Sequence, residues 1–274
     1  MSLDIGPIGF GGMPLSIQGR PSEEQGRKVI QAVIDAGIDF IDTADVYCID
    51  DNDIGHNERL IASVAKDVKI GTKAGLRRPR GAWTRDGSPK HIREACEQSL
   101  RSLGVEQIWL YQLHAVDPKV GLEASVETFA ALQREGKCKF VGLSNVSIDE
   151  IERAKKIVDV QSVQNRLNPY FRESLDVAAY CGENDITFLA YSPVGGGRLT
   201  KKIPKFEVLQ EIAAKHACSP HAVVLTWVRS KGKTVVPIPA ARTIDHALDS
   251  AKSANVTLTA DEISAIDGEY FDVT

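Results

Sequence analysis

Four side chains that could carry out acid–base chemistry occur one after another in the first half of the chain. Asp42 ends an apolar run and Tyr47 follows it five residues later. Lys73 and His114 each come directly after a later apolar run. A phenol has a pKa of about 10 and is a weak acid at neutral pH, so a nearby ammonium is needed to stabilise the phenolate. An acid, a phenol, an amine and an imidazole gathered at one site suit proton transfer to a carbonyl that is being reduced.

Each of the four has its own expected role in this chemistry. Lys73 stabilises the phenolate of Tyr47 and brings the phenol pKa toward the working range. Asp42 pairs with the lysine and holds it, and His114 orients the substrate oxygen or shares the proton. Each residue alone also has an ordinary explanation, such as a helix cap, a solvated lysine or a hydrogen-bonded histidine. Their positions at the ends of successive predicted strands favour a functional site.

The elements that must position these residues alternate between strand-like and helical patterns. Strands are predicted near residues 8–13, 38–42, 68–72, 108–113, 139–143, 160–163, 186–190 and 234–238. Helices are predicted near 22–36, 57–65, 89–103, 122–135, 147–157, 173–183, 206–216 and 243–253. Eight strand and helix pairs predict a parallel sheet closed into a (β/α)8 TIM barrel, an α/β fold whose active site forms at the carboxyl ends of the strands.

Two further helical stretches fall outside this regular count. Residues 219–231 predict an extra helix before the last strand, and residues 261–266 a short terminal helix followed by a short C-terminal tail. We expect one domain over residues 1–274. The alternative is an open doubly wound sheet. It is weakened because the run from Gly9 to Pro14 has proline where the third glycine of a dinucleotide-binding GxGxxG motif belongs.

Composition narrows the class of protein. With 43% hydrophobic residues and a net charge of −4, the 274-residue chain can bury a large core and has no basic excess that would favour nucleic acid. Five scattered cysteines without a CxxC pair favour neither a disulfide framework nor a zinc site, so no metal is expected. The chain has neither an export signal nor an apolar run of about 20 residues. We therefore expect a soluble cytoplasmic protein, a monomer or weak oligomer that binds no membrane.

Short motifs spread over nearly the whole chain resemble those of the aldo-keto reductase family. The matching stretches are Gly37–Tyr47, Gly55-His-Asn-Glu58, Thr72-Lys73, Leu113-His114, Gly142-Leu-Ser-Asn145, Gln164-Asn165, Ala190-Tyr-Ser-Pro193 and Ile238-Pro239. The resemblance implies reduction of an aldehyde or ketone to an alcohol by hydride transfer from NADPH. The family's Asp, Tyr, Lys and His tetrad falls on Asp42, Tyr47, Lys73 and His114, with Tyr47 as general acid.

The resemblance also implies where the cofactor would bind. Ser144, Asn145 and Gln164 match positions that hold the nicotinamide carboxamide, and Tyr191 matches the ring that stacks on the nicotinamide. The pyrophosphate loop matches Ser192, Val194, Gly195, Gly196 and Gly197, where glycines let backbone amides approach an anion closely.

The adenosine end departs from the usual family pattern. Arg242 and His246 are the candidates for the 2′-phosphate of NADPH, and His246 stands where many relatives have arginine. Arginine keeps its charge and offers a forked set of donors, whereas a histidine is mostly neutral at pH 7. The sequence therefore favours NADPH with a weakened hold, and NADH stays open as a second cofactor.

Substrate choice should depend on loops around the barrel mouth, including a loop over residues 77–87 that contains Trp83. Its four arginines, Arg77, Arg78, Arg80 and Arg85, either attract anionic substrates or are simply solvated.

Two other functions would use many of the same residues. A Schiff-base aldolase would use Lys73 as its nucleophile. A slow-turnover regulatory subunit resembling potassium-channel β subunits would keep the same residues.

Overall fold

The computed structural model describes residues 2–274, and ten strands form two sheets in this range. The strands are β1 (Phe10–Gly11), β2 (Phe40–Asp42), β3 (Lys69–Ala74), β4 (Leu76–Arg77), β5 (Thr84–Arg85), β6 (Ile108–Leu113), β7 (Cys138–Ser144), β8 (Val160–Arg166), β9 (Thr187–Tyr191) and β10 (Val235–Pro237). The main sheet has eight parallel strands in the order β1-β2-β3-β6-β7-β8-β9-β10.

The two edges of this sheet meet. The backbone amide of Gly9 donates to the carbonyl of Pro237 at 3.0 Å, and that of Gly11 donates to the carbonyl of Pro239 at 2.8 Å. The sheet is therefore curled into a barrel, as predicted, and the alternative of an open doubly wound sheet is wrong.

Eleven helices connect and follow the strands within residues 2–274. They are α1 (Glu23–Asp35), α2 (His56–Ala62), α3 (Pro89–Leu103), α4 (Leu122–Arg134), α5 (Ile148–Lys155), α6 (Leu175–Glu183), α7 (Gly197–Thr200), α8 (Glu207–Lys215), α9 (Pro220–Arg229), α10 (Ile244–Lys252) and α11 (Ala260–Gly268). Helix α9 is the predicted extra helix before the last strand, and α11 is the predicted terminal helix. No helix in the described range is both long and apolar enough to cross a bilayer.

Local signals explain where the first helix begins and ends. The hydroxyl of Ser22 accepts a hydrogen bond from the backbone amide of Gln25 at 3.2 Å and so caps the first turn. Gly37, with a φ of +86°, follows the last helical turn, because a left-handed residue there favours glycine. Val29, Ile30 and Val33 form the buried face.

Side-chain alternation along the strands stacks a polar layer on an apolar one. Phe40 and Asp42 are two residues apart on β2, and so are Leu110 and Gln112 on β6, so each pair shares one face of its strand. Phe40 and Leu110 belong to one buried apolar cluster, while Gln112 contacts Asp42. The candidate active site therefore rests on a rigid apolar layer.

The loop predicted over residues 77–87 is partly a hairpin. Strands β4 and β5 pair antiparallel, with Leu76 opposite Arg85 and Arg77 opposite Thr84. Strands of two residues are too short to leave a periodic pattern in the sequence, which explains why the hairpin was not predicted.

Candidate active site

A buried lysine lies at the centre of the site. The ammonium of Lys73 donates to Asp42 Oδ2 at 2.6 Å, to the carbonyl oxygen of Thr43 at 2.8 Å and to Tyr47 Oη at 3.2 Å. Lys73 is fully buried and Asp42 almost so. The geometry arises because β2 and β3 are adjacent parallel strands with Asp42 paired to Gly71. A lysine this deep requires a paired carboxylate and hydrogen bonds to offset its desolvation.

His114 completes the cluster from the end of β6. Its ring centroid lies 5.7 Å from that of Tyr47, with an edge-on angle of 78°. Burial holds the pKa of His114 well below its usual 6.5, and the nearby charge of Lys73 lowers it further. The imidazole is therefore neutral at pH 7, and its buried Nδ1 has no hydrogen-bond partner in the part of the chain that the structure describes. A neutral imidazole can orient a carbonyl oxygen but is no strong acid.

The pKa of Tyr47 moves opposite to the direction expected from the sequence. Burial raises this pKa well above 10, and the Asp42 carboxylate raises it further. Burial also lowers the pKa of Lys73, an effect that Asp42 opposes. Desolvation and the neighbouring carboxylate therefore oppose the lowering of the phenol pKa by Lys73 that the sequence predicts. Tyr47 stays protonated at neutral pH, as a proton donor must.

Two glutamines, one on β6 and one on β8, contact the second oxygen of Asp42. Gln164 Nε2 donates to Asp42 Oδ1 at 2.8 Å, and Gln112 Nε2 approaches the same oxygen at 3.4 Å. The sequence predicted Gln164 as a cofactor residue, and the structure also engages its amide nitrogen with Asp42. Gln112 was missed, although a glutamine inside the apolar run 108–113 is a detectable signal of a polar barrel interior.

The segment that carries Tyr47 is braced by residues whose structural role the sequence left unassigned. Asp45 Oδ1 accepts a hydrogen bond from the backbone amide of Val46 at 2.7 Å. Burial raises the pKa of Asp45 well above its usual value, and Glu58 adds to that shift. Asn57 Oδ1 accepts the Thr43 hydroxyl at 2.6 Å, which ties α2 to the end of β2. These contacts hold the turn between Asp42 and Tyr47 in place.

The residues predicted to hold the nicotinamide lie together beside His114. Asn145 Nδ2 donates to the His114 carbonyl oxygen at 3.0 Å, and Tyr191 Oη donates to Asn145 Oδ1 at 2.8 Å. Ser144 Oγ donates to the Gln164 carbonyl oxygen at 2.8 Å. Asn145 has a φ of +58°, a left-handed conformation that asparagine tolerates better than most residues. The carboxyl ends of β7, β8 and β9 thus present amides and one phenol next to the buried cluster.

The predicted pyrophosphate loop has a backbone that requires glycine. Gly195 has a φ of +83°, and a Cβ there would lie 2.9 Å from Leu199 Cβ. Its amide donates to the Ser192 carbonyl oxygen at 2.9 Å. Gly196 is also left-handed, and the carbonyl of Val194 accepts from the Thr200 hydroxyl at 2.7 Å. The loop is thus a tight, closed turn.

At the adenosine end, the structure places Arg242 and His246 on the surface around the start of α10. Arg242 is partly engaged, because its Nε donates to the Pro14 carbonyl oxygen at 3.2 Å and its Nη2 to that of Gln18 at 3.3 Å. His246 is the third residue of α10, and its backbone amide donates to the Thr243 hydroxyl at 3.4 Å. Arg242 thus contacts the loop between β1 and α1.

Arg78 departs from the solvated charge run described by the sequence. It is only 1% exposed, and its guanidinium lies 4.0 Å from the Trp83 ring centroid. Arg77 pairs with Asp86 at 2.6 Å. Cys48, which follows Tyr47 in the chain, is buried, and burial raises the pKa of its thiol to about 12. A thiol with such a pKa is not readily oxidised, because the thiolate is the reactive form.

The closed barrel and the buried cluster at its mouth define a (β/α)8-barrel protein with a lysine–carboxylate pair at the carboxyl ends of its strands. A family model described as the aldo/keto reductase family matches residues 7–270. The chain belongs to this family, and the resemblance predicted from its motifs is confirmed.

Individual relatives agree with this assignment. A protein of Schizosaccharomyces pombe named as an uncharacterized oxidoreductase is 32% identical over 270 residues, covering 97% of this chain and 87% of the relative. The glycerol dehydrogenase from Gluconobacter oxydans has a similar structure, with a TM-score of 0.85 and 25% identity over 100% of this chain and 96% of its own. An aldo-keto reductase from Klebsiella pneumoniae in complex with NADPH has a TM-score of 0.81 and 23% identity, with 96% and 90% covered.

Proposed function

We propose that this protein reduces an aldehyde or ketone to an alcohol with NADPH, and that Tyr47 is the general acid. The observation that carries the proposal is the position of the Lys73 ammonium, 2.6 Å from Asp42 and 3.2 Å from the Tyr47 hydroxyl in a buried site. A protonated phenol beside a fixed cation suits a step in which negative charge develops on an oxygen. Family membership supports reductase chemistry in general.

The residues present fit a nicotinamide cofactor. Asn145 and Gln164 offer amide groups beside Tyr191, and the turn at Gly195 has no room for a side chain. When bound, NADPH supplies the hydride. We propose that Ser144, Asn145, Gln164 and Tyr191 hold its nicotinamide end, that Ser192, Val194, Gly195 and Gly196 hold its pyrophosphate, and that Arg242 and His246 face the 2′-phosphate. The Klebsiella pneumoniae relative supports this, because it was solved with NADPH.

The four clustered side chains divide the proton transfer among them. Tyr47 donates its hydroxyl proton to the carbonyl oxygen of the substrate, and the Lys73 ammonium stabilises the phenolate that results. Asp42 keeps Lys73 charged and aimed at the phenol. The neutral His114 orients the substrate oxygen toward Tyr47, since its ring lies edge-on to the tyrosine. We further propose that the chain works as one domain over residues 1–274 in a reducing cytoplasm, where its five free cysteines would persist.

The two alternatives differ in what they require of Lys73 and of turnover. A Schiff-base aldolase needs a neutral, reachable amine, whereas Lys73 is fully buried and paired with Asp42. This contact disfavours the aldolase. A regulatory subunit would keep every contact described above and differ only in rate, so steady-state turnover separates it from a reductase.

A screen of NADPH oxidation across aldehydes, ketones and α-dicarbonyls tests the proposal. We expect sustained turnover with at least one class, and Tyr47→Phe should lose about 100-fold or more in turnover while NADPH affinity stays nearly unchanged. Tyr180→Phe, on a tyrosine of α6 whose hydroxyl accepts from Lys155 outside the cluster, is the matched control and should keep its turnover. Near-normal turnover of Tyr47→Phe would contradict the acid assignment.

A further inference from the structure

The connection between β4 and β5 forms one wall of the barrel mouth. It carries Trp83, whose ring lies 6.3 Å from the Tyr47 ring and 6.4 Å from the His114 ring, edge-on to both. Trp83 remains 47% exposed. The indole therefore borders the space directly in front of the two groups that we propose to contact the substrate carbonyl.

A buried arginine holds this wall in place. The guanidinium of Arg78 donates to the carbonyl oxygens of Gly81 at 2.6 Å, Cys48 at 3.1 Å and Ile49 at 3.2 Å. It also donates to Gln18 Oε1 at 3.0 Å. One side chain thus joins the β1–α1 loop, the β2–α2 loop and its own hairpin.

The same guanidinium supports the indole through its ring face, with its central carbon 4.0 Å from the Trp83 centroid. A cation over an indole face is attracted by the ring quadrupole, and the attraction grows when the cation is desolvated, as Arg78 is. The planar guanidinium of an arginine can make these four hydrogen bonds and stack on a ring at the same time, whereas a lysine ammonium cannot. Arg78 therefore limits the motion of an indole that is otherwise half open to solvent.

We propose that Arg78 is a positioning residue: it fixes Trp83 as a preformed aromatic wall beside Tyr47 and His114, so that the site prefers carbonyl substrates carrying a flat, uncharged group. This inference rests on the proposed function. Neither Arg78 nor Arg77 presents a free charge at the indole, because Arg78 lies beneath the ring and Arg77 is paired with Asp86. The face of the indole favours contact with flat, apolar groups over charged or polyhydroxylated ones.

The first test measures the environment of the Trp83 ring and needs no enzymatic reaction. In protein labelled with 5-fluorotryptophan, fluorine NMR should give resonances for Trp83, Trp109 and Trp227, with Trp83 identified by its loss in Trp83→Phe. Arg78→Met should shift or broaden the Trp83 resonance and leave the Trp227 resonance unchanged. Arg80→Met is the matched control, since Arg80 is an exposed arginine of the same hairpin. An unchanged Trp83 resonance in Arg78→Met would overturn the proposal.

The second test measures substrate preference. Wild-type protein should favour benzaldehyde over glyceraldehyde in kcat/KM. Arg78→Met should raise the KM for benzaldehyde about 10-fold with kcat within about 3-fold, and should leave the KM for glyceraldehyde nearly unchanged. Arg78→Lys should recover only part of the loss, and Arg80→Met should behave like wild type. If Arg78→Met and Arg78→Lys do not fold, Trp83→Leu must show the same loss of preference. Retention of the benzaldehyde preference in Trp83→Leu would contradict the inference.

These tests separate the two proposals. If wild-type protein reduces no carbonyl compound, the proposed function fails. The wall is still tested by titrating benzyl alcohol and glycerol against the Trp83 resonance, which only benzyl alcohol should shift. Equal responses to both alcohols would refute the aromatic preference whatever the enzymatic result.

Discussion

Gln164 donates its side-chain amide to Oδ1 of Asp42 at 2.8 Å, joining β8 to β2 across the interior of the barrel. The opposite oxygen of the same carboxylate holds Lys73. The position of the lysine beneath Tyr47 therefore depends on a residue 122 positions after Asp42 in the chain.

Gln164 is expected to serve both the proton-transfer cluster and the cofactor. Gln164→Ala should lower kcat several-fold, because Asp42 loses its stronger amide partner, and should raise the KM for NADPH about 10-fold. Gln112→Met is the control, since Gln112 is only 3.4 Å from the same oxygen and has no proposed cofactor contact. Steady-state kinetics with varied NADPH measures both effects. An NADPH KM that rises equally in both variants would contradict the cofactor role of Gln164.

The pH profile of kcat/KM should be flat near pH 6.5 and fall on the alkaline side. Burial keeps the pKa of His114 well below 6.5, so the imidazole does not titrate in that region. Tyr47 stays protonated because its pKa is raised above 10, whereas the pKa of Lys73 is lowered from 10.5. Loss of the Lys73 ammonium at alkaline pH is therefore expected to lower kcat/KM. Kinetics from pH 5 to 10 would measure this, and an acid limb near 6.5 that disappears in His114→Gln would refute it.

Asp45 should make the fold less stable as pH rises. Its pKa is raised by burial above the unfolded value near 3.8, so the folded state binds its proton more tightly than the unfolded state does. The stability that this proton contributes is fully present below the unfolded pKa and is lost as pH rises through the folded pKa. Asp45→Asn keeps an oxygen for the Val46 amide and should raise the free energy of unfolding at pH 8 by about 1 to 3 kcal/mol.

Urea unfolding at pH 5 and pH 8 would measure this effect, because the difference between Asp45→Asn and wild type should be larger at pH 8. The exposed Asp67 provides the control substitution Asp67→Asn, which should leave both midpoints nearly unchanged. Equal gains at both pH values would point to packing rather than ionisation.

Arg242 should decide the preference for NADPH over NADH. Arg242→Ala should weaken NADPH binding about 10-fold and leave NADH binding nearly unchanged, because only NADPH carries the 2′-phosphate. Isothermal titration with each cofactor measures the two affinities, and His246→Ala should have a smaller effect. Loss of affinity for both cofactors alike would show that Arg242 acts mainly through its contacts with Pro14 and Gln18.

The sequence was sufficient for the parts of the fold that depend on local signals. Helix α3 was predicted over residues 89–103 and spans Pro89–Leu103, because Ser88 caps its first turn and Gly104 adopts the left-handed conformation after its last. Adjacent parallel strands also brought Asp42 and Lys73 together as expected. Such features need only neighbouring residues or neighbouring strands.

Features that depend on burial could not be read from the sequence. The sequence alone does not distinguish the arginines between positions 77 and 85, yet Arg78 is buried under Trp83 while Arg80 is exposed. Likewise, the direction of the Tyr47 pKa depends on how completely the fold excludes water from the ring. Both outcomes follow from tertiary packing, which leaves no local pattern.

The seam between β1 and β10, where the barrel closes, has a consequence for biosynthesis. Until β10 has emerged from the ribosome, β1 has no partner on its outer side, and the growing sheet exposes two open edges that could pair with other chains. The β10 side of the seam presents the carbonyls of Pro237 and Pro239, and proline has no amide hydrogen to offer a foreign strand. Gly9 and Gly11 donate the amide hydrogens that these carbonyls accept. Once formed, the β10 edge is thus a poor template for a foreign strand and still complementary to β1.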